Sequence, residues 1–176
     1  MKAGLASLAV GMLLGAGALL AFDAVMIATS TESFCGSSCH EMTIPYETLQ
    51  TTEHYSNAHG VAVTCADCHI PKEFGPKMLR KIEASREVWG HVTGLIDTPE
   101  KYAAHQPAMR EREMQRMRAN DSQECRNCHR LDRMDFASQE RAVRRYHRAM
   151  DSRDKTCVDC HADVAHPLQK ASASLH

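Results

Sequence analysis

Eight cysteines fall in four close pairs, and a histidine follows the second cysteine of every pair. The pairs are Cys35/Cys39, Cys65/Cys68, Cys125/Cys128 and Cys157/Cys160, followed by His40, His69, His129 and His161. With 11 histidines in 176 residues, four such placements would arise by chance at roughly 1 in 10⁵. Three pairs read C-x-x-C-H in full: Cys65-Ala-Asp-Cys68-His69, Cys125-Arg-Asn-Cys128-His129 and Cys157-Val-Asp-Cys160-His161. This is the attachment motif for c-type haem. Two thiols add to the two vinyl groups of one haem, and the short spacer lets both reach the macrocycle edge. The adjacent imidazole then lies under the iron as its proximal ligand. Cys35-Gly-Ser-Ser-Cys39-His40 has one more spacer residue. A bulged loop closes the same ring, with Gly36 expected to supply the bend. Four covalently bound haem c groups are therefore expected. Zinc ribbons also use C-x₂-C pairs but need no histidine after each. A disulfide framework suits an even cysteine count in an exported chain, yet leaves the four histidines unexplained.

Low-spin haems need a second axial ligand. Of the 11 histidines, four sit in the motifs and seven do not: His54, His59, His91, His105, His147, His166 and His176. His166 lies five residues after His161 and precedes Pro167, on a turn expected to face a neighbouring haem. His54 and His59 closely precede the second motif. Met42, two residues past His40, offers a thioether that can take over as ligand of the first iron.

The N-terminus adds a second constraint. Lys2 is the only charge before Asp23, and Ala3 to Phe22 is apolar but for Ser7. Twenty helical residues span roughly 30 Å, the thickness of a bilayer core. A cleavable signal has a shorter apolar core, roughly 7–15 residues, so residues 1–28 read as an uncleaved transmembrane anchor. The alternative is a signal cut near Ala28-Thr29-Ser30. Lys2 favours an N-inside orientation, which carries the cysteines to the oxidising side that haem attachment needs. Gly11 and Gly15 read as glycine tolerance in a membrane helix rather than as a packing face.

The remainder of the chain, residues 29–170, reads as one compact multihaem domain followed by a disordered tail at 171–176. The fold class is mainly α with much irregular structure. His40 to His69 and His129 to His161 are similar steps on either side of a longer stretch, which suggests two di-haem halves around a helical middle. Helices are expected over Lys77–Val92, Pro99–Ala119 and Ser138–Met150, and no strand. Only nine residues are aromatic, four Phe, four Tyr and one Trp, so haems are expected to fill the interior. A net charge of −1 excludes a nucleic-acid binder driven by bulk basicity.

Beyond these readings, the chain resembles the NapC/NirT/NrfH family of membrane-anchored multihaem quinol dehydrogenases, nearest the tetrahaem NapC branch. The resemblance runs over nearly the whole chain. It is carried by Thr31-Glu32-Ser33-Phe34, Cys39-His40-Glu41-Met42, His54-Tyr55-Ser56-Asn57, Gly60-Val61 and Cys68-His69-Ile70-Pro71. It continues in Asp97-Thr98-Pro99-Glu100-Lys101, Asn120-Asp121-Ser122, Cys125-Arg126-Asn127-Cys128-His129 and Cys160-His161 with His166-Pro167. The resemblance implies four haems c on one anchor in the bacterial inner membrane, facing the periplasm. It implies oxidation of menaquinol or ubiquinol at the membrane surface beside the first haem. Electrons would pass to a periplasmic reductase of the nitrate or nitrite type, in anaerobic respiration.

The resemblance also implies site residues. His54, His147 and His166 match distal-ligand positions. Where the NapC branch carries a further histidine after the second motif, Lys72 stands here. Met42 matches the ligand methionine of the NrfH branch. The family's basic and acidic groups near the quinol correspond to the stretch holding Arg80, Lys81 and Glu87, with Asp97 a further candidate. Lys81 would hold a quinol oxygen and Glu87 would accept a proton, although a solvated helix face would explain these charges equally. Implied partners are the quinone pool, the lipid bilayer and the reductase, as a complex with it or as a homo-oligomer. Two rival readings are a tethered electron shuttle without a quinol site and a haem enzyme that itself reduces a small molecule.

Overall fold

A computed structural model describes residues 2–150 and 154–166; the tail expected to be disordered lies outside them. Among the described residues the chain is helical with no strand. Helix α1, Lys2–Ala28, has no proline and is built mostly of Ala, Leu, Met, Val and Gly. Its stretch Ala3–Ala28 has a mean hydropathy of 2.1, and none of its most apolar part is buried against the rest of the chain. The hydroxyl of Ser7 donates to the Ala3 carbonyl at 3.1 Å, which satisfies a polar side chain within the apolar stretch. Thr29 and Ser30 hydroxyls donate to the Val25 and Met26 carbonyls, both at 2.7 Å, and close off its last turn.

Eight shorter helices follow: α2 Glu32–Ser37, α3 Thr43–Gln50, α4 Cys65–His69, α5 Phe74–Glu83, α6 Ser85–Val92, α7 Pro99–Ala119, α8 Gln123–Arg126 and α9 Arg141–Arg148. Tight 3₁₀ turns form at His40–Met42, Leu131–Arg133 and Cys157–Asp159. Helix α7 begins as its sequence dictates. The Thr98 side chain accepts from the Lys101 N–H, and Pro99 sits in the first turn, where its missing N–H costs nothing.

Two helices depart from expectation. The stretch read as one helix over Lys77–Val92 is two, α5 and α6, meeting at Ala84. The Ser85 hydroxyl donates to the Ile82 carbonyl at 2.7 Å and competes with the helical ladder at the join. The helix expected over Ser138–Met150 is trimmed to Arg141–Arg148. The Arg144 guanidinium gathers the Ala137 and Gln139 carbonyls instead.

The protein's own apolar core is small. Met114 and Met117 of α7 pack with Val158, and Cys68, Cys125 and Ala162 lie against them. Helix α2 packs on α4, α4 on α8, and α7 on the Cys157–Asp159 turn, so the four cysteine motifs form a contiguous row. A charged clamp holds this row to α7. Arg116 donates to Glu113 at 2.6 and 3.0 Å, to Glu124 at 2.9 Å and to the Cys68 carbonyl at 3.0 Å. Burial alone would raise the Glu124 carboxyl, but Arg116 and Asn120 overcome it and hold the group below the usual carboxylate range. Arg116→Met leaves two carboxylates without their cation, one of them nearly fully buried. The expected cost is about 3–5 kcal/mol, read as a lowered Tm. Because the folded-state pKa of Glu124 is depressed, its contribution is present at neutral pH and is lost as pH falls below the unfolded carboxylate value. The Tm difference between wild type and Arg116→Met is therefore expected to shrink in acid.

Candidate functional site

The motifs present their cysteines on single helical turns. In two of them a capping box sets that turn. Thr64 and Thr156 cap the turn, and the Asp67 and Asp159 carboxylates reach back to the Thr64 and Thr156 N–H groups at 2.9 and 2.7 Å. In the last two motifs the histidine N–H donates to the first cysteine's carbonyl, His129 to Cys125 at 2.8 Å and His161 to Cys157 at 2.9 Å. The third motif follows two residues in the left-handed region, Asp121 and Ser122, with φ of 55° and 52°. That reversal lets the fully buried Ser122 sit beside the fourth motif, where its hydroxyl accepts from the Val158 N–H at 3.4 Å.

The first motif is built differently. Cys35 lies in α2 and Cys39 is extended, with φ −127° and ψ 132°. Gly36 does not supply a bend, as the sequence suggested; it is a helical residue with a ring packed on it. A Cβ there would meet the Tyr46 ring at 2.8–3.0 Å, and the Tyr46 hydroxyl is tied to Glu32 at 2.7 Å. Gly36→Ala is therefore expected to cost about 1–3 kcal/mol by overpacking. Haem attachment at Cys35/Cys39 should fall with it, read by intact mass.

None of the eight cysteines is paired in a disulfide, and neighbouring motifs bring cysteines together. Cys35 of the first motif meets Cys65 of the second, and Cys125 of the third meets Cys157 of the fourth. The histidines meet in pairs. His40 faces His91 with ring centroids 6.1 Å apart, His69 faces His166 at 6.2 Å, His129 faces His54 at 6.0 Å, and His161 faces His147 at 6.1 Å. A metal–imidazole bond of about 2.0–2.1 Å puts a ring centroid roughly 3 Å from the metal, so two rings clasping one ion stand roughly 6 Å apart. Every motif histidine thus has a second imidazole at the distance one iron needs, next to a pair of cysteines. The donor set fits haem c. The first pair also draws in Cys39 and Glu41, whose donor atoms and a His91 nitrogen lie within 4.8 Å of one another.

The rings are held by their other nitrogens. Nδ1 of His69 meets Glu113 at 3.0 Å, His166 the Thr48 hydroxyl at 3.1 Å, His54 the Val164 carbonyl at 3.3 Å, His147 Gln139 at 2.9 Å and His91 Glu41 at 2.7 Å. Such contacts orient a ring and leave Nε2 for a metal. His40 differs, for its Nε2 meets the Asp97 carbonyl at 3.1 Å. Glu41, almost fully buried, lies between His40 and His91, and its Oε2 has no hydrogen-bond partner. Met42 is partly exposed beside this pair.

The charged candidates separate into two groups. The Lys81 ammonium donates to the Thr29 carbonyl at 2.6 Å and its hydroxyl at 2.9 Å, at the foot of α1. Burial lowers its pKa. Arg80 pairs with Glu87 at 2.9 Å. Asp97 is engaged elsewhere: it pairs with Lys101 at 2.6 Å, and Lys101 holds its carboxyl below the usual range.

The model of the NapC/NirT cytochrome c family, N-terminal region, matches residues 1–171. The chain belongs to the NapC/NirT cytochrome c family. It is 49% identical to the cytochrome c-type protein NapC of Haemophilus influenzae over 144 residues, 82% of this chain and 71% of that one. It is 46% identical to the denitrification system component NirT of Stutzerimonas stutzeri over 148 residues, 84% and 73% of the two chains. It is 42% identical to a putative tetraheme cytochrome-c type protein of Allochromatium vinosum over 171 residues, 95% and 92%. No solved structure matches. This NapC/NirT chain is thus a helical c-type cytochrome with one N-terminal apolar helix suited to a membrane.

Sequence reasoning did not select His91, although it counted that residue among the spare histidines. Nor did it single out Glu41 or the two Thr-x-x-Asp capping boxes. The boxes were readable as a T-x-x-D pattern, whereas the His40–His91 pairing joins residues 51 positions apart. His59 is exposed, and the His105 ring is turned to the Lys101 carbonyl at 2.8 Å. Lys72 is exposed as well.

Proposed function

We propose that this chain is a quinol-oxidising, tetrahaem electron carrier of the bacterial inner membrane. In this reading α1 is retained as a single anchor, residues 29–170 face the periplasm, and a periplasmic reductase of the nitrate or nitrite type accepts the electrons. The observation that carries the reading is the Lys81–Thr29 contact. It ties the Arg80/Lys81/Glu87 cluster to the residue that follows the membrane-spanning stretch, within electrostatic reach of Cys35. A donor dissolved in the bilayer would meet the first haem there.

The cysteines of each motif would hold one haem by two thioether bonds. His69/His166, His129/His54 and His161/His147 would hold the iron of the second, third and fourth sites through their ring nitrogens. At the first site the Nε2 of His40 already serves Asp97, and we assign Met42 to that iron. Haem c, when bound, supplies a one-electron acceptor, so a row of sites suits a donor that gives up two. The part-buried, cationic Lys81 would orient a quinol oxygen and favour its anion. Glu87, mostly exposed and paired with Arg80, would take a proton and release it to water. The thiol contacts Cys35–Cys65 and Cys125–Cys157 support two di-haem halves. The ring pairs His69–His166 and His129–His54 join those halves across the sequence.

The test is direct. The purified full-length protein, carrying four haems by pyridine haemochrome, is placed in liposomes with menaquinol or ubiquinol. Rapid reduction of its haems, blocked by a quinol-analogue inhibitor, is expected. Reduction that is insensitive to the analogue would leave the protein as a tethered shuttle.

A further inference from the structure

We infer that helices α5 and α6 form a second membrane contact, lying in the lipid interface beside the anchor. The observation is an inverted amphipathic pair. A helix on the surface of a water-soluble domain turns its apolar stripe inward and its charges outward. Here the order is reversed. Arg80 is only 12% exposed, and Lys81 is turned to Thr29. Leu79, Ile82, Trp89 and Val92 are each more than half exposed, Val92 reaching 69%. Phe74, at the start of α5, is equally open. Isolated exposed apolar side chains are ordinary, but a contiguous run over two packed helices marks an interaction surface.

The occupant is a lipid bilayer, for two reasons. The first is continuity. Lys81, in the last turn of α5, bonds to Thr29, the residue after the apolar span Ala3–Ala28, so the join of α5 and α6 lies at the level where the anchor leaves the hydrocarbon. The second is direction. On α6, His91 turns toward His40, and at 100° per residue Trp89 stands roughly 200° around the helix from it. Trp89 therefore faces away from the first haem site, and a haem held there does not cover it. It is the single tryptophan of the chain, a residue type favoured at the headgroup level of membranes. Interfacial helices bury one apolar face at the headgroup–acyl boundary in this manner. The inference does not depend on quinol oxidation: an anchored shuttle would carry the same surface.

Photocrosslinking tests it in the whole protein. p-Benzoylphenylalanine is introduced at position 89, at 82 on the other helix, or at 115 on α7, where Gln115 is exposed. Each full-length, haem-loaded protein is reconstituted into phosphatidylethanolamine/phosphatidylglycerol vesicles and irradiated, and adducts are read by mass. Because both interfacial positions are exposed, an unchanged haem spectrum is the criterion for using each variant, and either one suffices. Lipid adducts at 89 and 82 at least tenfold above those at 115 are expected. Adducts no more frequent than at 115 would overturn the inference. So would adducts joining two protein chains, which would make this face a protein interface.

Discussion

A chain carrying His166→Gly is expected to keep four haems while one of them changes from low to high spin and binds carbon monoxide. His166 comes from the C-terminal end of the described chain, yet its ring stands 6.2 Å from His69 in the second motif. Burial, with the neighbouring His69, lowers its pKa to about 4, so at neutral pH the ring is uncharged and its lone pair is free to bind a metal. Nδ1 is fixed by Thr48, which leaves Nε2 for the iron. Loss of this ligand should move the potential of one haem by at least about 60 mV, a tenfold change in its reduced-to-oxidised ratio. Electron paramagnetic resonance and a redox titration give the readout. His59→Gly and His105→Gly should leave both unchanged, because neither ring faces a motif histidine. At the first site the expected order differs. Met42→Leu should alter one haem spectrum and His40→Ala should not, since the His40 Nε2 is committed to the Asp97 carbonyl. An unaltered spectrum in His166→Gly would remove the pairing of rings as a guide to ligation.

What was legible in the sequence followed from how local its cause was. Haem attachment needs two thiols and an imidazole within five or six residues, so the four motifs stand out without a fold. Helix α7 was also local: Thr98 and Pro99 open it, and it ends at Ala119 where expected. The membrane helix rests on composition alone. The pairing of histidines is a tertiary property. His54 and His166 each cross from one half of the chain to a motif in the other, and no periodicity encodes that. His91 reaches His40 from α6, which is set off from α5 by the break at Ala84. A single helix over Lys77–Val92 would carry the ring elsewhere. Gly36 shows the same limit. A glycine in a widened spacer suggests a bend, whereas its reason here is the Tyr46 ring packed on it, a residue ten positions away.

Lys81→Met is expected to lower quinol oxidation by about 10²-fold, the loss typical when one preorganised electrostatic group is removed. Reduction of the haems by dithionite should be unchanged, because the attachment motifs are untouched. Lys81→Arg should recover part of the activity, since it restores the cation but not the compact ammonium seated on Thr29. Stability separates this role from a structural one. Burial depresses the folded-state pKa of Lys81, so the unfolded chain binds its proton more tightly and stability rises with pH through the interval between the two values. At neutral pH the part-buried cation is thus an electrostatic cost, offset by its two bonds to Thr29. Lys81→Met should therefore leave Tm near the wild-type value while turnover collapses. The same depressed pKa predicts an alkaline limb in kcat/KM at a lower pH than an exposed lysine would give, absent in Lys81→Arg. Wild-type turnover in Lys81→Met would show that this ammonium secures α5 to the anchor and has no part in handling quinol.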